Sequence, residues 1–444
     1  MTLRDELREQ AERLEELLDR VPEPLARELR ERISELRELL LEQRPPRFAL
    51  VGRRGAGKSS LINAFFGRAV AKVGHEKATT ARGRWFTHRG DLGAMDILDS
   101  RGIQEGSRPE GAEEQVDPIE SLTLAIDEKG PDALLFLIKA KEVDAAVDAD
   151  LDALEAVSER IRERHGYAVP IVAVLTHCDA IEPKNTPLHR PEEAHPEDLS
   201  EKNQRVQRLE EMIAAKVKSR EALRDQFVTA HGISAYQSWR RDGSRRADER
   251  WRIEELVDFL LDELPEQARV EFVRLSQVKT LQHRIAKRLT NIVSTLCAGV
   301  AATPIPLADI APITSMQVSL VSGIGYISGR RLEVRAATEF LGALGANIGA
   351  AVALREAARA LAKLLAPGLG SAVSAGVAFA GTKAIGKAAA VYFIDGVDMG
   401  RAKKVFESTR EKARRLYERN PDKAPEQLEE LLSDADEGDE PKGD

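Results

Sequence analysis

The stretch over residues 48–60, Phe-Ala-Leu-Val-Gly-Arg-Arg-Gly-Ala-Gly-Lys-Ser-Ser, constrains the fold of this chain more than any other. An apolar run enters Gly52, and Gly57-Lys58-Ser59 closes the spacing G-x-x-x-x-G-K-S. A helical pattern follows in Leu61-Ile62-Asn63-Ala64-Phe65-Phe66. That order calls for a strand, a tight loop and a helix N-terminus in succession. Glycines let backbone N–H groups turn inward around phosphates, where the helix dipole also favours negative charge. Lys58 is placed to reach the β and γ phosphates, and the Ser59 hydroxyl to ligate Mg²⁺.

A phosphate loop alone does not separate ATP from GTP, so the downstream residues decide. Met95-Asp96-Ile97-Leu98-Asp99-Ser100-Arg101-Gly102 reads as a buried strand ending in D-x-x-G. Asp99 would hold Mg²⁺ through water, and the Gly102 amide would sense the γ-phosphate. Upstream, Ala78-Thr79-Thr80 offers a hydroxyl to complete the metal shell. A second buried strand, Pro170-Ile171-Val172-Ala173-Val174-Leu175, delivers Thr176-His177-Cys178-Asp179. A carboxylate there can accept two hydrogen bonds from the N1 and N2 edge of guanine, which adenine cannot offer; leaving it unpaired rejects ATP. Phe227-Val228-Thr229-Ala230, followed by Ile233-Ser234-Ala235, resembles a loop supporting the guanine O6.

Five such elements, in this order and each at a strand end, resemble the Era-like branch of the TRAFAC-class GTPases over residues 44–266. The resemblance implies GTP or GDP with Mg²⁺ as the ligand. It places Gly52, Arg53, Arg54, Gly55, Ala56, Gly57, Lys58, Ser59 and Ser60 at the phosphates, and Ser59, Thr80 (or Thr79) and Asp99 at the metal. Thr176, His177, Asp179, Ser234 and Ala235 would surround the base. Lys58, Thr80 and Gly102 would carry the hydrolytic step. The departures are informative. His177 replaces the usual lysine, exchanging aliphatic packing on the guanine face for imidazole stacking. Arg101 stands where proline is usual, and Ile103 follows Gly102 where some GTPases carry a water-orienting glutamine. Gly55 lacks the asparagine that some relatives use to hold potassium. Intrinsic hydrolysis is therefore expected to be slow, on the order of 10⁻⁴ to 10⁻² per second, with acceleration by dimerisation or a partner. Arg53, Arg54 and Arg101 are candidates for an arginine supplied across an interface; the plainer reading is solvated or phosphate-steering arginines.

At 444 residues the chain has room for two to three domains. A net charge of −8 argues against a general nucleic-acid binder. The two cysteines, Cys178 and Cys297, make neither a disulfide framework nor a metal site, so a reducing cytoplasm is expected. The Glu- and Arg-rich opening to Leu40 does not read as a secretory signal. Cys178 reads as a small buried filler before a redox site.

Residues 1–43 read as a helical hairpin broken at Pro22-Glu23-Pro24, its leucine stripe packed on the C-terminal helices or, secondly, in a coiled coil. Residues 44–266 alternate strands and helices, with a proline-rich partner loop over 182–203. The arginines Arg240, Arg241, Arg245 and Arg246 read as a solvated face. Residues 267–420 read as an all-helical domain and 421–444 as a short helix and acidic disordered tail. The run from Thr303 to Pro312 looks like the helical domain of unknown function that accompanies some bacterial Era-like GTPases. Gly325 with Gly329, and Gly345 with Gly349, suggest close helix packing. Two readings compete for the apolar stretches: a soluble bundle, which is the one taken, and reversible contact with the inner face of a membrane.

The expected fold is thus an α/β P-loop domain with a mainly parallel sheet, plus a helical lobe built from both flanking segments. The expected activity is that of a GTP-hydrolysing switch, with homodimerisation through the GTPase face kept open. A membrane-acting GTPase, similar in layout to dynamin-like and immunity-related GTPases, is the first rival. A non-catalytic nucleotide-binding scaffold is the second, and ribosome or RNA association a weaker third.

Overall fold

The computed structural model describes residues 23–71, 84–99, 125–143, 147–302, 310–330, 334–345 and 371–419, with Arg8, Glu12 and Glu15. The chain divides into two units, residues 44–276 and residues 1–43 with 277–444.

In the first unit the strands are β1 (Arg47–Val51), β2 (Arg84–Gly90), β3 (Gly93–Asp99), β4 (Ala133–Lys139), β5 (Ile171–Thr176) and β6 (Phe227–Gly232). They form one sheet in the order β2-β3-β1-β4-β5-β6. Only β2 runs antiparallel to its neighbour, pairing with β3; every other pairing is parallel. The continuous apolar runs of β4 and β5 are the reason these strands sit at the centre, since helices cover both faces of a parallel sheet. With α1 (Glu23–Leu40) in the second unit, the helices of this one are α2 (Lys58–Phe66), α3 (Val147–His165), α4 (Pro196–Ser219), α5 (Ile253–Glu263) and α6 (Glu266–Ser276). A small hairpin of β7 (Gln237–Trp239) and β8 (Arg245–Asp248) follows β6.

Composition assigns α6 to the helical region, because it is charged. It nonetheless belongs with the sheet unit. Phe272 packs between Phe48 of β1 and Phe65 of α2, with ring centroids 5.4 and 5.7 Å apart. One aromatic anchor on a charged helix decides its placement.

The second unit is helical in all its described elements: α1, α7 (Lys279–Ala302), α8 (Ile310–Ile327), α9 (Val334–Gly345), α10 (Ser371–Ala390) and α11 (Met399–Arg419). Ala26, Leu29, Ile33, Leu36 and Leu40 of α1 are buried, and α1 packs on α7. Both chain-flanking segments therefore build this unit, as the leucine stripe predicts. Helix α11 packs along α10. The close-packing glycines differ from those expected. A Cβ at Gly299 would stand 2.6 Å from Leu29, one at Gly323 2.7 Å from Leu289, and one at Gly386 2.2 Å from the Thr290 hydroxyl. A Cβ at Gly345 would meet nothing, and one at Gly325 only ordinary contact with Phe393. Small residues mark close approach only where a neighbouring helix faces them. Gly349, residues 303–309 and the acidic tail lie outside the described residues.

One helical stretch among the described residues, Ala375–Asp395, is long and apolar enough to cross a membrane, and 67% of its most apolar window is buried within the protein. Its length and composition thus match those of a core helix.

Candidate functional site

The motif residues gather at the carboxyl ends of β1, β5 and β6, the edge where loops of an open parallel sheet bind ligands. The chain leaves β1 at Gly52, where a Cβ would lie 2.4 Å from the Leu137 carbonyl oxygen, so only glycine passes. Gly55 and Gly57 take φ of 76° and 88°, the left-handed region. Helix α2 then starts at Lys58 with no side-chain cap. The first N–H groups of an uncapped helix are an anion site in waiting. Lys58 is buried and folds back over the loop, its ammonium donating to the Gly52 carbonyl with the Arg53 carbonyl at 3.4 Å.

The other half of the site comes from β5 and β6. Thr176 is buried, and its hydroxyl donates to the Ala56 carbonyl of the phosphate loop at 2.9 Å. His177 Nδ1 lies 3.0 Å from the same hydroxyl. His177 itself adopts a left-handed φ of 59°, and a Cβ on Gly57 would stand 3.5 Å from its Cε1. The imidazole thus stands next to Gly57 of the phosphate loop. Desolvation by burial holds its pKa below the ordinary value, and the neighbouring Asp179 charge opposes the shift while Lys139 adds to it. Asp179 follows with its side chain exposed at the rim. The Cys178 amide donates to the Ile233 carbonyl at 3.1 Å, and the Ile233 amide to the Leu175 carbonyl at 2.8 Å, which ties the two loops together. Ser234 is buried and bridges backbone to backbone with Trp251. Its hydroxyl, and both polar atoms of the Gln237 amide, find no hydrogen-bond partner among the described residues. Ala235 is buried beside it.

Cys178 sits in the core, and burial pushes its thiol up to about 12. It is therefore an inert filler. Arg53 is engaged at home, its Nε donating to the buried Asp150 of α3 at 2.9 Å. Arg54 is exposed. Ser59 and Ser60 lie in the first turn of α2. The backbone of Asp99 ends β3, paired with Leu50 and Arg84; its side chain, and Thr79, Thr80, Arg101, Gly102 and Ile103, lie outside the described residues.

Four residues at this edge escape sequence reasoning. Lys139, in register with Thr176 at the end of β4, brings its ammonium to where a Cβ on Gly55 would be 3.5 Å away, and pairs with Glu142 at 2.9 Å. Asn63 of α2 accepts from the amides of Val70 and Ala71 and donates to the Ala71 carbonyl at 2.8 Å, fixing the chain as it leaves the helix. Lys202 and Glu210 of α4 hold the loop after β5 and the end of β6, through the Asp179 carbonyl and the Gly232 amide. Lys202 did leave a signal: it occupies a buried-stripe position one turn before Val206, with Ile213 and Val217 beyond. The stretch over 182–203, expected to be a flexible partner loop, is helical from Pro196 onward and sends Thr186 and Leu188 into the interior.

Residues 47–177 match the family described as 50S ribosome-binding GTPase, and residues 267–420 match the Domain of unknown function (DUF697). No curated protein matches the chain. Among solved structures it is similar to Toc33 from Arabidopsis thaliana in complex with GDP and Mg²⁺, at 17% identity over 55% of this chain and 94% of that one, with a TM-score of 0.32. It is also similar to a variant of Era from Aquifex aeolicus bound to GDP and aluminium fluoride, at 18% identity over 59% of this chain and 68% of that one, TM-score 0.30. A probable GTP-binding protein engB aligns at 17% identity over 49% of this chain and 97% of that one, TM-score 0.30.

Proposed function

We propose that this chain, which joins a P-loop GTPase domain to a helical domain of unknown function, binds GTP and GDP and hydrolyses GTP slowly as a molecular switch. The observation that carries the reading is the Thr176–Ala56 hydrogen bond, with His177 against Gly57. It joins the phosphate loop to the loop bearing Asp179, so one ligand can lie along both. Lys58 and the amides from Gly55 to Ser60 would hold the phosphates, and Asp179 would read the N1 and N2 edge of the base.

The donor chemistry suits Mg²⁺: Ser59 offers a hydroxyl at the uncapped turn, and Thr80 and Asp99 are the further oxygen ligands of this reading. When bound, the ion neutralises phosphate charge. Arg53 is held by Asp150, which leaves the exposed Arg54 as the better candidate for a charge offered to a second copy across the GTPase face. A switch further requires that the helical unit contact something differently in the two nucleotide states.

The test is nucleotide exchange of preference. Asp179→Asn should move affinity from GTP to XTP, because an acceptor becomes a donor. Multiple-turnover phosphate release across a range of protein concentrations then asks whether hydrolysis occurs and whether association accelerates it. Unchanged GTP and XTP affinities would remove the base-reading role, and absence of turnover would leave a nucleotide-binding scaffold.

A further inference from the structure

We infer that Lys202, buried behind the loop that carries Asp179, is a positioning residue that sets base selectivity by fixing the backbone of Asp179, an inference that rests on the base-reading role proposed above. Lys202 is 1% exposed, and its ammonium donates to the carbonyls of Asp179 at 2.8 Å, Thr186 at 3.0 Å and Pro183 at 3.4 Å. An ammonium has three donors, and here three carbonyls receive them. No carboxylate forms an ion pair with it among the described residues. Burying such a charge is costly unless every donor is used. An apolar residue on the stripe shared with Val206, Ile213 and Val217 would pack at less cost. What the lysine supplies in exchange is convergence: three carbonyls from separate points of one loop are drawn to a single atom, and the first belongs to the residue whose carboxylate would read the base.

The same helix treats the opposite loop with the opposite charge. Two turns along α4, the Glu210 carboxylate accepts from the Gly232 amide at 2.6 Å and from Arg252 Nη1 at 2.7 Å. Gly232 leads directly into Ile233 and Ser234. Desolvation lowers the pKa of Lys202, with Asp179 opposing the shift. Helix α4 is therefore a rigid bar that holds both base-side loops, one by a buried cation and the other by a carboxylate. A carboxylate displaced by about 1 Å loses the geometry of a two-bond contact, while the phosphate loop on β1 and α2 is untouched.

The experiment measures affinities of the full chain for GTP, ATP, XTP and inorganic tripolyphosphate, alongside the thermal midpoint. For Lys202→Met, the GTP-over-ATP preference should fall by roughly tenfold or more, with tripolyphosphate affinity unchanged. Lys202→Gln, which keeps two N–H donors, should fall between. Adding Lys202→Met to Asp179→Asn should abolish the gain for XTP. Where Lys202→Met does not fold, Lys202→Gln and Glu210→Gln carry the same comparison. An undiminished GTP-over-ATP preference in the folded variants overturns the inference, as does a parallel loss of tripolyphosphate binding, which would mark a general structural role. If the unsubstituted chain fails to prefer GTP, or Asp179→Asn alone fails to favour XTP, the base-reading role falls first and the inference with it.

Discussion

His231 shows how a single side chain near the site acquires a pH-dependent role. It is 1% exposed, accepts from Arg252 Nη2 at Nδ1 and lies 3.1 Å by Nε2 from the Arg252 carbonyl. Desolvation, with the Arg252 charge second, holds its pKa below the ordinary 6.5. The unfolded chain takes up a proton near that value, while the folded chain does so only at lower pH. Stability must therefore fall as pH drops from about 7 to about 5, because the unfolded state binds more protons there. His231→Gln should flatten that part of the slope, as read by urea unfolding at a series of pH values. An unchanged slope would mean that the imidazole is not held neutral. At this scale the sequence was a partial guide. The phosphate-loop glycines and Lys58 are legible because phosphate chemistry requires those residue types in that spacing. Lys139, Asn63, Lys202 and Glu210 are not, because each satisfies backbone groups that only the folded chain brings near, and isolated charges on a helix look like solvent-facing ones.

Among the elements, the β7–β8 hairpin and helix α2 are joined in a way that charge counting obscures. Arg245 Nη2 donates to the Gly67 carbonyl at 2.9 Å and Arg250 Nη1 to the Ala64 carbonyl at 3.1 Å. These carbonyls lie in the last turn and at the C-cap of α2, where Ala64 also accepts the Gly67 amide at 3.3 Å and where cations favour the helix dipole. Asp248 binds both arginines, at 2.6 and 2.8 Å. Burial would raise its carboxyl, but the Arg250 and Arg245 guanidinium groups hold it below the usual range. The arginine run reads in sequence as a solvated face, and Arg240, Arg241, Arg245 and Arg246 are all exposed; Arg245, with Arg250, caps α2 as well. Arg250→Ala should cost about 1 kcal/mol, measured as a lowered urea midpoint with an unchanged slope. The helical elements yield a paired prediction. Gly386→Val forces a side chain into Thr290 and should lower the thermal midpoint of the helical unit sharply, while Gly345→Ala, with open space beside it, should leave it level or raise it slightly. Equal effects of the two would mean that α7 and α10 do not approach as described. Helical periods expose the helices, while the short β7–β8 hairpin is read in sequence only as an arginine run; which glycine faces which helix is set by tertiary packing and has no local signature.

At the scale of the whole molecule, pattern alone conveys the parallel sheet, the inserted position of the sheet unit and the membership of α1 in the helical unit. The sheet is legible because buried parallel strands are unbroken apolar runs, and α1 because its stripe demands a partner. Placement of α6 was not, since Phe272 is outweighed locally by its charged neighbours. Removing residues 23–40 should bare the face of α7 that α1 covers, and increased binding of a hydrophobic dye together with faster proteolysis within residues 279–302 would report it. The division after Gln43 and again after Ser276 has a consequence for how the chain is made. While the ribosome synthesises the whole sheet unit, Leu29 and Ile33 have been extruded without the helix that shelters them. At about 5–20 residues per second that wait lasts some tens of seconds. The nascent N-terminal segment is thus a standing invitation to chaperones or to neighbouring nascent chains, until Gly299 emerges to receive Leu29.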